Sequence, residues 1–239
     1  MNVEQGEALE RLRGMAPLCV DAIVTDPPYF LPAQHYSGRA KWPRSMADLS
    51  VLEHFYRDVF AECRRVTKPD APIVVFCDGQ SYPVFYSLLY PHWDRLIDIV
   101  WDKDEIGMGA GVRRQHEWIL IGVAHGVEMN GWERSVMREK RVGDSRTHPA
   151  EKPVGLLRRL IRLLVPPGGV VVDPFTGSGA TGEAALAEAR DFIGIELDAR
   201  YAADAARREP SIQSSLFEAP DLEYYRGGYR PKRPGAAAG

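Results

Sequence analysis

Cysteine is scarce: three in 239 residues, at positions 19, 63 and 77. An odd number at spacings that match no metal-ligand pattern argues against a disulfide framework and against a zinc site. Each lies beside apolar residues, so all three are expected as reduced, buried thiols. Long apolar runs are missing as well. No stretch approaches the roughly 20 residues that cross a bilayer, and the opening MNVEQGEALERLRG lacks the apolar centre of a secretory signal. Both absences point to the cytoplasm and away from a membrane. Nor is there an excess of positive charge: 30 Lys and Arg stand against 33 Asp and Glu, a formal net charge of −3. That disfavours a general polyanion binder but allows basic groups gathered on one face. No internal repeat occurs.

What is present is an ordinary globular composition, 45% hydrophobic and 26% charged, in a chain long enough to bury a sizeable core. Short β-branched runs alternate with helical patterns. VDAIVT (20–25), PIVVFC (72–77), LIDIVW (96–101), EWILIGV (117–123), VVVD (170–173) and FIGIE (192–196) read as strands. Most are apolar throughout, as strands covered on both faces must be. Helices are expected from about Met46 to Val66, after Pro153, from about Gly179 to Ala189, and from Ala199 to Arg208. In the second, Leu157, Leu160, Ile161 and Leu164 recur at i, i+3, i+4 and i+7, leaving Arg158, Arg159 and Arg162 as a solvated face. Pro153 before it and PPGG (166–169) after it are usual helix punctuation. This alternation builds an α/β fold on a mainly parallel sheet. Residues 30–47 and 124–147 do not fit the sheet and read as loops carrying basic residues. A single domain is expected over 1–225, followed by a flexible basic tail, 226–239.

The stretch VVVDPFTGSGATGEAALAEARDFIGIELD (170–198) holds a strand, a glycine-rich turn, a helix and a second strand. Gly177, Gly179 and Gly182 satisfy G-x-G-x-x-G, and Glu196 follows Gly177 by 19 residues. Such an acid accepts hydrogen bonds from ribose hydroxyls, while the glycines let backbone approach a ligand. An adenosine-bearing cofactor is therefore expected. The lead-in DPF and the position near the end of the chain disfavour NAD, because no second nucleotide-binding half follows; S-adenosyl-L-methionine fits better.

TDPPY (25–29) ends the first strand. By itself it is as readily a rigid turn, with Asp26 as a cap, as a site. Together with DPFTGSGATG (173–182), however, it resembles the amino-methyltransferases that act on exocyclic amines of DNA bases, and the motif order resembles their beta class. WDK (101–103), RRQHEWIL (113–120), HPAEKP (148–153) and FIGIELD (192–198) resemble further motifs of that family in family order. The resemblance implies a seven-stranded, mostly parallel S-adenosylmethionine-dependent methyltransferase fold, Rossmann-like, with one antiparallel strand. It also implies methyl transfer to N6 of adenine in duplex DNA by base flipping, with N4 of cytosine, or an RNA or protein amine, as alternatives. No metal is required.

The resemblance assigns roles residue by residue. Asp26 and the carbonyl of Pro27 engage the two amine hydrogens, Pro28 stiffens the corner, and Tyr29 stacks on the flipped base. Asp173, Pro174, Phe175, Gly177, Ser178, Gly179 and Thr181 line the methionine end of the cofactor. His148 and Lys152 lie near its carboxylate, Glu196 at its ribose, and Glu7 (where the family has Asp) at its adenine. Tyr36, Arg39, Lys41, Trp42, Arg113 and Arg114 are expected to meet DNA beside the pocket. Arg138 and Arg141 fall in the target-recognition segment, 124–147. That segment is short, so a homodimer is expected to read the site. HEWIL (116–120) begins like a zinc-protease signature, but Leu120 replaces the second histidine; His116 and Glu117 are read as strand residues.

Overall fold

A computed structural model describes residues 1–28, 49–107, 111–143 and 151–209. The expected loop 30–47 and the tail 226–239 lie outside the described residues. Eight strands form one sheet: β1 (Asn2–Gln5), β2 (Ala22–Thr25), β3 (Ile73–Cys77), β4 (Arg95–Asp102), β5 (His116–Val123), β6 (Val136–Arg138), β7 (Val170–Asp173) and β8 (Asp191–Glu196). Their spatial order is β1-β8-β7-β2-β3-β5-β4-β6. Every pairing is parallel except those of β5, which runs against both β3 and β4.

The six expected strands are all present, and one strand is antiparallel as expected. The count of seven is corrected to eight. Two strands are unforeseen: β1, which pairs with β8, and β6, which lies inside the segment read as loop. With three residues β6 shows no periodicity of its own, yet Val136, Met137 and Arg138 pair with Val100, Trp101 and Asp102, and Met137 is fully buried.

Alternation along the strands sorts side chains onto two faces. On β3, Ile73, Val75 and Cys77 join Leu12, Leu52, Tyr56, Phe60 and Phe85 in one cluster. These come from α1 (Ala8–Gly14), α2 (Leu49–Val66) and α3 (Tyr82–Leu89). Val74 and Phe76 face the opposite cluster, with Leu156, Leu157, Leu160 and Ile161 of α4 (Val154–Leu164) and Ala184 and Ala185 of α5 (Ala180–Ala187). Each fully buried Leu, Ile or Phe contributes about 1.5–3 kcal/mol. A sixth helix, α6 (Ala199–Arg207), buries Ala202 and Ala205. Among the described residues no helix is long and apolar enough to cross a membrane.

Two readings change. Cys63 and Cys77 are buried, but Cys19 is exposed, because the chain turns beside it with Leu18 in the left-handed region (φ 55°). The arginines of α4 are not a free solvated face. Arg158 and Arg162 reach Glu188 just beyond α5 at 2.7 and 2.6 Å, and Arg159 reaches Glu133 at 2.9 Å. Opposite to the apolar stripe therefore means away from the sheet, yet within reach of the neighbouring helix.

Candidate active site

The connection after β2 crosses on the face of α2, whereas that after β7 crosses on the face of α5. β2 and β7 are neighbours, so the chain diverges between them and leaves a crevice at their carboxyl ends, where ligands bind in open α/β sheets. The two strand ends are tied directly: the Thr25 hydroxyl donates to Asp173 Oδ1 at 2.7 Å. The DPP corner and the glycine loop, distant in sequence, begin from opposite sides of that one bond.

Asp173 is fully buried, and its Oδ1 also accepts the amide of Phe175 at 3.0 Å. Burial pushes its carboxyl up to about 6; hydrogen bonds from Thr25, Thr181 and Phe175 oppose the rise, and the charge of Asp26 adds to it. An acid whose folded value lies above its unfolded value costs stability as it ionises. The contribution of Asp173 to stability should therefore fall as pH rises from about 3.8 to about 6. Asp173→Asn should remove that decline. Denaturant titrations across this window are expected to show the variant gaining on the wild type by about 1–3 kcal/mol at pH 7, with no gain at pH 3.5.

The glycine loop is shaped by steric need at two positions. Gly179 caps α5 in the left-handed region (φ 81°), and a Cβ there would lie 3.1 Å from Ala205 Cα. A Cβ on Gly182 would lie 2.2 Å from Met1 Sδ and 2.7 Å from the Phe192 ring, so only glycine lets α5 sit this close to β8. Glu196, at the end of β8, accepts the Gly177 amide on Oε2 at 3.0 Å and the Asp198 amide on Oε1 at 2.9 Å. Glu7 follows β1, which pairs with β8, so the fold brings both acids to one end of the crevice. There Glu7 caps α1, accepting the Glu10 amide at 2.8 Å. Ser178 is buried in the turn after β7, and Thr181 in the first turn of α5.

Two residues the sequence reading passed over hold these loops. Tyr56 of α2 donates its hydroxyl to the Pro28 carbonyl at 2.8 Å. Burial, then the nearby Asp26 charge, raises its phenol well above the usual tyrosine range, so it stays a donor. Its ring packs on Phe60, Phe85 and Phe175, which links the DPP corner to the glycine loop through aromatic contact. Arg208, after α6, donates to the Ser178 carbonyl at 3.2 Å and pairs with Glu183 at 2.5 Å and Glu151 at 2.8 Å. No sequence motif marks either residue.

Asp26 stands in a chain of alternating charge. Lys152 Nζ bonds Asp26 Oδ2 and lies 3.4 Å from Glu117 Oε2; Glu117 Oε1 in turn meets Lys103 Nζ at 2.5 Å. Lys152 is buried, with its ammonium 5.5 Å from the centre of the Phe76 ring and 6.0 Å from that of Trp101. Burial pulls its value down, but the Asp26 and Glu117 carboxylates outweigh burial and hold it above the ordinary lysine range. Burial alone would raise Glu117; Lys152 and Lys103 bring it below the usual carboxylate range. Because β5 is antiparallel, its first residues reach the same sheet edge as the ends of β2 and β7. His116 and Glu117 are strand residues as read, but Glu117 belongs to the site.

The expected DNA-facing arginines lie on that edge in surface ion pairs. Arg114 meets Asp78 at 2.8 Å, Arg138 meets Asp102 at 3.2 Å, Arg141 meets Glu105 at 2.6 Å, and Arg113 is exposed. Tyr29, Tyr36, Arg39, Lys41, Trp42 and His148 lie outside the described residues.

Known proteins resemble this chain in sequence and in fold. The chain is 28% identical over 244 residues to the DNA adenine methyltransferase YhdJ of Escherichia coli, spanning 85% of this chain and 80% of that protein. It is 27% identical over 245 residues to the type II methyltransferase M.HinfI of Haemophilus influenzae, spanning 87% and 68%. Among solved structures, the PvuII cytosine-N4-specific DNA methyltransferase superposes with a TM-score of 0.70 at 17% identity, covering 94% of this chain and 90% of that one. A DNA modification methylase from Thermus thermophilus, complexed with S-adenosyl-L-methionine, superposes at 0.67 and 23% identity, covering 85% and 90%. The DNA methylase family itself matches residues 20–207, from the strand before Asp26 to the end of α6, and this chain belongs to that family.

Proposed function

We propose that this DNA methylase transfers a methyl group from S-adenosyl-L-methionine to N6 of adenine in duplex DNA, acting on a base rotated out of the helix. The observation that carries the reading is the Thr25–Asp173 bond, which holds the DPP corner and the glycine loop at one crevice. The residues present suit the cofactor. Both oxygens of Glu196 accept one amide each and retain acceptor capacity for two ribose hydroxyls. The glycine loop would hold the methionine end, with Asp173, Pro174, Phe175, Ser178 and Thr181, and Glu7 would face the adenine. The cofactor supplies an electrophilic sulfonium methyl.

The protein's own residues do the rest. An adenine amine is a weak nucleophile because its lone pair is delocalised into the ring. Asp26 and the Pro27 carbonyl, accepting its two hydrogens, favour a pyramidal nitrogen with a directed lone pair. Holding nitrogen and methyl carbon in line is where most of the acceleration arises, about 7–11 kcal/mol for well-oriented reactants. Tyr29 stacks on the extruded base and offsets an unstacking cost of a few kcal/mol. Exposed pairs such as Arg138–Asp102 and Arg114–Asp78 contribute only about 0–1 kcal/mol, so their guanidinium groups exchange readily onto phosphates. Arg113 and Arg141 belong to the same basic edge, and Tyr36, Arg39, Lys41 and Trp42 are proposed as further DNA contacts. The short recognition segment favours two copies on one site; a monomeric mass on DNA would exclude that. The enzyme is read as cytoplasmic.

Incubation with methyl-labelled cofactor and unmethylated genomic DNA, then digestion to nucleosides, is expected to yield N6-methyladenine. Label in N4-methylcytosine would transfer the reading to the cytosine branch, to which the PvuII superposition points in fold alone. Label in neither base, with transfer to RNA or protein amines instead, would overturn it.

A further inference from the structure

The family resemblance of HPAEKP (148–153) implies that Lys152 lies near the cofactor carboxylate. In the structure its ammonium pairs with Asp26 and Glu117. We propose that Lys152 is a positioning residue for Asp26: bridged between Asp26 and Glu117, it fixes the orientation of the acceptor carboxylate and keeps it ionised in a largely water-excluded corner. This rests on the methyl-transfer reading above.

The geometry carries the argument. Lys152 is anchored before α4 and is buried, yet its ammonium bonds Asp26 Oδ2 and lies within 3.4 Å of Glu117 Oε2. Lys103, across the ring of Trp101, pairs with the other oxygen of Glu117 at 2.5 Å. Two anions and two cations thus alternate along one line, Asp26–Lys152–Glu117–Lys103, drawn from four separate stretches of the chain. Among the described residues, Asp173 on β7 repels Asp26, while the Tyr56 phenol on α2 and the Cys77 thiol on β3 stay protonated beside it. Lys152 is a cation placed to balance the repulsion from Asp173 and Glu117. Without it, buried carboxylates crowd together, and protonation of one relieves the repulsion. A protonated Asp26 no longer offers two-sided acceptance to an amine hydrogen.

Glu117 has a second consequence in this arrangement. It shares Lys152 with Asp26, so neutralising it directs the ammonium wholly to Asp26. The two substitutions should act in opposite directions, which a general loss of packing would not do.

The test uses the full chain. In Lys152→Met, which keeps side-chain length, kcat is expected to fall at least about tenfold at pH 6 and to recover toward pH 9, since one unit of carboxylate titration is a tenfold change in the ionised fraction. The affinity for S-adenosyl-L-methionine, measured by calorimetry, should stay unchanged. Lys152→Arg should retain the wild-type acid limb, and Glu117→Gln should move that limb to lower pH. Titration of the Asp26 carboxyl carbon by NMR, without DNA, should move to higher pH in Lys152→Met. A weakened cofactor with an unmoved Asp26 titration would overturn the proposal and return Lys152 to the cofactor carboxylate. If the wild type methylates no base, the functional reading fails, while the carboxyl titration still decides the role of Lys152.

Discussion

Replacing Asp26 with alanine is expected to lower methyl transfer by at least about 10²–10³-fold, the usual loss when one preorganised polar partner of a reacting group is removed. Cofactor affinity should be nearly unchanged, because the glycine loop is held by Asp173, Glu196 and Arg208. The variant leaves buried Lys152 with Glu117 as a remaining partner, so it should fold. Asp26→Asn makes the comparison sharper. It keeps an oxygen acceptor and the shape of the side chain but loses the charge that pairs with Lys152, and intermediate activity is expected. Label transfer to DNA measured beside calorimetric cofactor binding separates the two effects. Full activity in Asp26→Ala would sink the mechanism.

The second large effect is structural. Gly179→Val places a β-branched side chain at φ 81°, where L residues are strained, and drives its Cβ to within 3.1 Å of Ala205 Cα. Left-handed strain of about 1–2 kcal/mol adds to overpacking of about 1–3 kcal/mol. Stability should drop by about 2–5 kcal/mol, which for a chain of this size lowers Tm by roughly 4–20 °C. Because α6 carries Ala205 and leads into Arg208, its displacement also releases the clamp on the Ser178 carbonyl and the cofactor loop. Thermal melts with and without cofactor check both parts: a lower Tm, and a smaller rise on adding cofactor. An unchanged Tm would show that the backbone there yields at no cost.

Much of this was legible before the fold was seen, for identifiable reasons. VVVD followed by a glycine turn and an acid 19 residues on carries its structural meaning locally, and β7, α5 and β8 appear at those positions. TDPPY likewise announces the end of β2. What escaped is non-local. The strand β6 exists because Val136–Arg138 finds the free edge of β4, not because its residues alternate. Tyr56 reads from sequence as one more apolar-face residue of α2; only the fold aims its hydroxyl at Pro28. Lys152 sits between His148 and the glycine loop in the chain but 126 residues from Asp26, which is its ion-pair partner. Spacing conveys neighbours in the chain, and a charge relay assembled from four elements has no spacing to convey.

One reversed strand widens what the active edge can become. In a parallel sheet, consecutive strands are joined by a crossover that must run back over a packed face, so its length and composition are constrained by the core. Between β4 and β5 the chain reverses instead, and Asp102 and His116 face each other across the ladder at the edge where Asp26 lies. This link can lengthen, shorten or change charge without disturbing any buried layer, while Lys103 and Glu117 at its two feet stay fixed to the site. The sheet thus separates two rates of change. The ion pair of Lys103 and Glu117 is anchored in the ladder, and the exposed link that carries Arg113 and Arg114 is free to drift beside it.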